Sequence, residues 1–127
     1  MKRIIKYITG KTVQPLVARY LSKQRVYRYK GIRLQVPAQV FHPAFFFSTR
    51  LLMQYIDRLD VSQKTFLELG AGSGLIAFNA AKRGALVTAT DINNTAIEFL
   101  KKNQRSNNIP FKNNRIRSVC QYTKTTF

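Results

Sequence analysis

Three glycines, Gly70, Gly72 and Gly74, alternate with Ala71 and Ser73, and Glu68 stands two residues ahead of the first. They separate a strand-like run, Thr65-Phe66-Leu67-Glu68-Leu69, from a helix-like run, Ser73 to Arg83. A glycine-rich turn from strand to helix belongs at the carboxyl edge of a parallel sheet, where a helix N-terminus and free backbone N–H groups face a ligand. This feature restricts the chain to an α/β fold. The residues that follow agree with it. Leu75, Ile76, Phe78, Asn79 and Ala80 fall inside the helix, and Gly84 ends it. Leu86 to Thr90 reads as a second strand, and Asn93 to Asn103 as a second helix with Ala96, Ile97, Phe99 and Leu100 apolar. Arg115 to Tyr122 reads as a third strand. Strand and helix in alternation predict a doubly wound, Rossmann-like parallel sheet.

Two ligand chemistries compete for such a turn. A dinucleotide fingerprint is Gly-x-Gly-x-x-Gly. Counted from Gly70, its last glycine would fall at residue 75, which is Leu75. The pattern present is acid-x-Gly-x-Gly-x-Gly. An acid ahead of the loop suits a ligand with a cationic end and no pyrophosphate. S-Adenosyl-L-methionine has that form, with a sulfonium, an ammonium, a ribose and an adenine. Glu68 is then the group for the methionyl end, and Gly70, Ala71, Gly72, Ser73 and Gly74 form the cradle. Asp91 closes the second strand and is placed to accept the ribose hydroxyls, with Ile92 against the adenine. The plainer alternative is a strand-to-helix turn whose glycines serve packing alone.

Charge points to a partner. The 127 residues hold 22 Lys or Arg against 5 Asp or Glu, a net +17. Residues 1–33 carry ten of those bases and no acid. Such a balance predicts an acidic partner, with nucleic acid ahead of an anionic membrane surface; a merely solubilising surface is the alternative. Residues 2–9 read as a short basic helix stopped by Gly10. Thr12 can cap a second helix, with Pro15 in its first turn and Val13, Leu16, Val17, Tyr20 and Leu21 as its apolar stripe. That stripe is expected to pack on the rest of the fold. Residues 25–36 alternate like a β-hairpin with its turn at Lys30-Gly31. Tyr27 and Tyr29, interleaved with Arg28 and Lys30, fit a nucleic-acid stacking face and a half-buried sheet face equally well. Pro43 keeps His42 out of helix, and a helix then runs to about Asp57 with Leu51, Leu52, Tyr55 and Ile56 apolar. Phe41, Phe45, Phe46 and Phe47 read as core or pocket wall.

Other classes drop out on composition. One cysteine, Cys120, allows no internal disulfide and no cysteine-built zinc site; one histidine, His42, allows no His-rich metal site. No apolar run approaches the ~20 residues that span a bilayer. The expectation is a reduced, cytoplasmic protein with no metal and no membrane segment.

Leu67-Glu-Leu-Gly-Ala-Gly-Ser-Gly-Leu-Ile-Ala77, followed by Ala89-Thr-Asp-Ile-Asn93, resembles motif I and the next acidic motif of class I S-adenosylmethionine-dependent methyltransferases. Val40 to Leu52 looks like the segment ahead of motif I in the methyltransferase small-domain group. That group includes the release-factor glutamine methyltransferases and related rRNA and tRNA base methyltransferases. The resemblance covers roughly residues 25–109. It implies S-adenosyl-L-methionine as cofactor, Phe47, Ser48 and Thr49 beside it, and RNA or a ribosomal protein as the substrate that is N-methylated. It also implies a division into a basic lead-in over 1–60 and a partial cofactor-binding domain over 61–127.

The chain departs from the family in one respect that matters. Such enzymes hold the acceptor nitrogen with an Asn/Asp-Pro-Pro-aromatic motif after their fourth strand. Here the prolines are Pro15, Pro37, Pro43 and Pro110, and no two are adjacent. No catalytic residue is therefore assigned. The tail from Asn113 to Phe127 has no acid, where the family usually carries one at the end of its third strand. The expectation is a fold truncated after about the third strand, as a shifted reading frame or an early stop would produce. A naturally short protein is the alternative, and a non-enzymatic basic nucleic-acid-binding module is the competing function.

Overall fold

The computed structural model describes residues 15–16, 18–19, 22–38, 40, 43 and 47–115. The helix expected over 2–9 lies outside the described residues, as do His42, Phe41, Phe45 and Phe46. Of the second expected helix, only Pro15, Leu16, Ala18 and Arg19 are described, and they are helical.

Strands β1 (Arg25–Tyr29) and β2 (Ile32–Val36) form the antiparallel hairpin. Its two turn residues, Lys30 and Gly31, both have positive φ, +44° and +80°. That is the turn handedness which matches the twist of paired strands. Ile32, Leu34 and Val36 point into the core, with Tyr27 and Tyr29 packed against it. Helix α1 (Phe47–Asp57) follows and buries Met53 and Ile56. Leu51, Leu52 and Tyr55, expected on its apolar stripe, stay exposed.

Then come β3 (Thr65–Leu69), α2 (Leu75–Lys82), β4 (Leu86–Asp91), α3 (Asn94–Asn107) and β5 (Lys112–Arg115). The strands pair in parallel in the order β3-β4-β5. Both crossovers step the same way. Right-handed connections therefore place α2 and α3 on one face of the sheet. Phe66, Val87 and Ala89 meet the helices there. Leu67 and Leu69, on the opposite face, remain 44% and 47% exposed.

Element boundaries shift for local reasons. Helix α2 begins at Leu75, two residues later than the sequence predicts, because Gly74 takes a left-handed φ of +77° as its N-cap. Helix α3 runs four residues further, to Asn107, and left-handed Asn108 ends it. The third strand starts at Lys112, three residues before the expected Arg115, and what lies beyond Arg115 is outside the described residues. Its residues, Lys-Asn-Asn-Arg, carry no apolar alternation. The Gln104 side chain organises this stretch instead. Its amide donates to Phe111 O (2.6 Å), and its oxygen accepts from Asn113 Nδ2 (2.6 Å).

Two asparagines of α3 attach the hairpin. Asn103 Oδ1 accepts from Gln35 N–H and Asn103 Nδ2 donates to Gln35 O, each at 2.9 Å. Asn107 does the same with Arg33, each at 2.8 Å. One helical turn apart, they satisfy alternate residues of β2 as a third strand would.

Candidate functional site

The loop after β3 is built from backbone that only glycine adopts readily. Gly70, Gly72 and Gly74 have φ of +68°, +53° and +77°. Hydrogen bonds staple the loop to β4: Ala71 N–H donates to Thr90 O (2.9 Å) and Gly72 N–H to Asp91 Oδ2 (2.8 Å). The other oxygen of Asp91 accepts from Asn93 N–H at 2.8 Å. One carboxylate thus ties the glycine loop to the turn after β4. Gly74 has a second constraint, since a Cβ there would lie 2.2 Å from Leu100 Cδ2. At Gly70 a Cβ would meet nothing within 4 Å.

Glu68 leans from β3 under the start of α2, where Oε2 accepts from Ala77 N–H at 2.9 Å. Ala77 is in the first helical turn, whose N–H groups have no partner within the helix. Burial pushes the Glu68 carboxyl up to about 8; the Ala77 N–H opposes the rise and the negative charge of Asp91 adds to it.

A cleft of about 270 Å³ opens over this loop. It is lined by Pro43, Ser48 and Thr49 on one side and by Glu68, Gly70, Ala71, Gly72, Ser73, Leu75 and Ile76 on the other. Among these lining residues Glu68 is the one ionisable group, in a chain of net charge +17. A phosphate-bearing ligand would find no cation among the described residues of this lining. A ligand with a positive end would find an apolar wall and a carboxyl that its own charge helps to ionise.

The residues expected from sequence separate into three positions. Glu68, Gly70, Ala71, Gly72 and Ser73 line the cleft, as do Ser48 and Thr49. Gly74 and Asp91 are buried behind the loop. Ile92 and Phe47 are exposed, at 65% and 72%, and neither lines the cleft. Sequence reasoning missed Pro43, Leu75 and Ile76 as walls. It also missed Val40, whose Cγ1 would lie 3.6 Å from a Cβ on Gly72. No spacing rule links Val40 to Gly72, because the contact is made through the fold. A larger hollow of about 470 Å³ lies at the other end of α3, among Lys101, Gln104, Arg105 and Phe111. It shares no residue with the glycine loop.

Residues 44–124 match the family model of ribosomal protein L11 methyltransferase (PrmA). The chain belongs to this family. A putative protein N5-glutamine methyltransferase of Methanocaldococcus jannaschii is 37% identical over 81 residues, which are 63% of this chain and 39% of that one. Ribosomal protein L11 methyltransferase of Shewanella pealeana is 41% identical over 66 residues, 51% of this chain and 22% of that one. The chain therefore spans well under half the length of these curated relatives. Among solved structures, Pyrococcus abyssi tRNA (uracil-54, C5)-methyltransferase in complex with S-adenosyl-L-homocysteine matches with a TM-score of 0.62 at 22% identity. That match covers 74% of this chain and 23% of the other. The tRNA m1G37 methyltransferase of M. jannaschii matches with a TM-score of 0.57 at 29% identity, over 76% of this chain and 30% of the other. The fold is the Rossmann-like one of class I methyltransferases, and the cofactor of this family is S-adenosyl-L-methionine.

Proposed function

We propose that this chain is the cofactor-binding part of an S-adenosyl-L-methionine-dependent methyltransferase that N-methylates RNA or a ribosomal protein. The observation that carries this reading is the cleft in which, among the described residues, Glu68 is the one ionisable lining group. The donor set fits the cofactor. Glu68 would hold the cationic methionyl end. Gly70 and Gly72 would let the chain approach it without a side chain between. Asp91 would accept the ribose hydroxyls on the lone pairs that Gly72 and Asn93 leave free, and Ile92, exposed at the end of β4, would cover the adenine. When bound, the cofactor supplies a methyl group on sulfur, open to attack by an acceptor nitrogen. Ser48 and Thr49 close the cleft on the side of α1.

The sequence contains no adjacent prolines and so no Asn/Asp-Pro-Pro-aromatic clamp. Such positioning contributes on the order of 7–11 kcal/mol in well-oriented systems. These 127 residues are therefore expected to bind cofactor without turning it over, with 1–60 as lead-in and 61–127 as the cofactor-binding unit. Among the described residues, no helix is long and apolar enough to cross a membrane. We place the protein in the cytoplasm, near ribosomal or transfer RNA.

Calorimetry with S-adenosyl-L-homocysteine and with NAD tests the reading. The first should bind and the second should not. Asp91→Ala should weaken binding by about 1.5–3 kcal/mol, the range for hydrogen bonds to a charged group. Tighter binding of NAD, or an affinity unchanged by Asp91→Ala, would overturn the assignment. Methyl transfer from labelled cofactor to RNA or ribosomal protein above a Gly72→Asp control would show that these residues suffice for catalysis.

A further inference from the structure

We infer that the outward face of the β1–β2 hairpin binds the phosphate backbone of RNA, with Arg28 and Arg33 as a two-armed clamp. The register places these two arginines directly opposite each other on adjacent strands. Both are exposed, on the face away from the core. Like charges directly opposite on paired strands destabilise a hairpin. Nothing offsets that cost among the described residues, where both ion pairs are made by Asp57, to Lys30 and to Arg83. The remaining acids are elsewhere. Glu68 and Asp91 serve the glycine loop, Asp60 accepts from Ser62 N–H, and Glu98 is on α3. A phosphodiester between the two guanidinium groups would remove the repulsion and take bidentate hydrogen bonds from each.

Other features narrow the occupant. Tyr27 and Tyr29 are packed against the core on the opposite face, so among the described residues of the hairpin the outward face offers no aromatic anchor of the kind protein interfaces use. Lys30, the third base of the hairpin tip, is engaged by Asp57. Backbone charge is what remains to be recognised. The choice of RNA over another polyanion rests on the substrate class proposed above. A strand of RNA is long enough to reach both the clamp and the cofactor loop. Arg33 is seven residues from Val40, which packs on Gly72. At ~3.5 Å per residue, a strand on the clamp would run within about 25 Å of the cofactor loop.

The test is fluorescence anisotropy of a labelled single-stranded RNA against the full chain across a salt series. Arg28→Gln/Arg33→Gln is compared with Lys101→Gln/Lys102→Gln, which removes the same charge from α3. The hairpin variant should lose ~5-fold or more in affinity, and its log–log salt slope should fall by about 0.7, the value for the one phosphate the clamp holds. The α3 variant should lose less. The hairpin variant should also melt no lower than the parent, because repulsion is removed. Equal weakening by both variants, an unchanged salt slope, or competition by poly-glutamate as strong as by RNA would overturn the clamp. S-Adenosyl-L-homocysteine binding is measured on the same variants. It should stay intact, and its absence from the parent chain would instead count against the cofactor site.

Discussion

At the scale of single residues, the three glycines of the loop do different work. Gly74 is held between Leu100 and Phe78, and a methyl group there would overlap Leu100. Gly70 faces open space. Gly74→Ala should therefore cost about 2–4 kcal/mol, from left-handed backbone and overpacking together. Gly70→Ala should cost about 1–2 kcal/mol for the backbone alone. Urea denaturation of the two variants should show that order; equal losses would remove packing from the account of Gly74. Glu68 makes the chain sensitive to pH. Its carboxyl titrates at about 8 in the fold against a reference near 4.5, so the folded chain keeps a proton that the unfolded chain has released. Its contribution to stability is full below about pH 4.5 and is lost as pH rises to about 8, with a slope approaching about 1.4 kcal/mol per pH unit. Glu68→Gln should flatten that slope, read from denaturation midpoints at pH 5 and pH 8. A ligand cation beside the carboxylate favours its ionised form. Cofactor affinity should therefore rise over the same interval, with a proton released on binding. A parent and a variant with identical pH profiles would return Glu68 to a plain helix-capping role.

At the scale of elements, side-chain amides and one guanidinium do the joining. The hairpin would expose the edge of β2, and Asn103 and Asn107 cover it from α3. Asn103 is fully buried, so Asn103→Ala strands the Gln35 N–H and C=O away from water. The expected loss is about 2 kcal/mol or more, against less than about 1 kcal/mol for Asn107→Ala at the more exposed end. Chemical denaturation checks the ratio, and similar losses would mean that burial does not set the cost. Arg83 plays the matching part at the end of α1. It donates to Ile56 O at 2.7 Å, Asp57 O at 3.2 Å and Leu59 O at 2.6 Å, three carbonyls at and just past the helix end, where backbone acceptors outnumber the helix's own donors. The Asp57 carboxylate is held below its usual range by Lys30 first and then by Asn79. Turn, helix end and α2 are thereby locked around one acid.

At the scale of the whole molecule, β3 has one strand neighbour among the described residues, β4. The other edge of β3 has no strand partner among the described residues, and Leu67, Leu69 and Leu86 stay exposed on the face away from the helices. An open edge beside an apolar face is a template for association. The chain should self-associate as concentration rises despite its charge, and Leu67→Lys/Leu69→Lys should reduce that. Sedimentation velocity at two concentrations reads the difference. A parent chain that stays monomeric at both would show that the face is covered.

Much of this was legible from local signals. A positive φ favours glycine, a strand alternates by two, and a helix repeats near 3.6 residues, so β3, the glycine loop, α2, the hairpin turn and the α/β class follow from short stretches of sequence. The acid-x-Gly pattern also indicated the ligand chemistry, because charge and backbone approach are properties of the loop itself. Alternation told that Arg28 and Tyr27 point to opposite sides of β1, but not which side the core would take. That was decided by α3, through bonds between residues such as Gln35 and Asn103 that lie 68 positions apart. Pairings at such distance leave no periodic trace. Nor could sequence show that Asp91 and Glu68 would spend hydrogen bonds on the loop and on α2, since those bonds exist only once β4 and α2 are packed against β3.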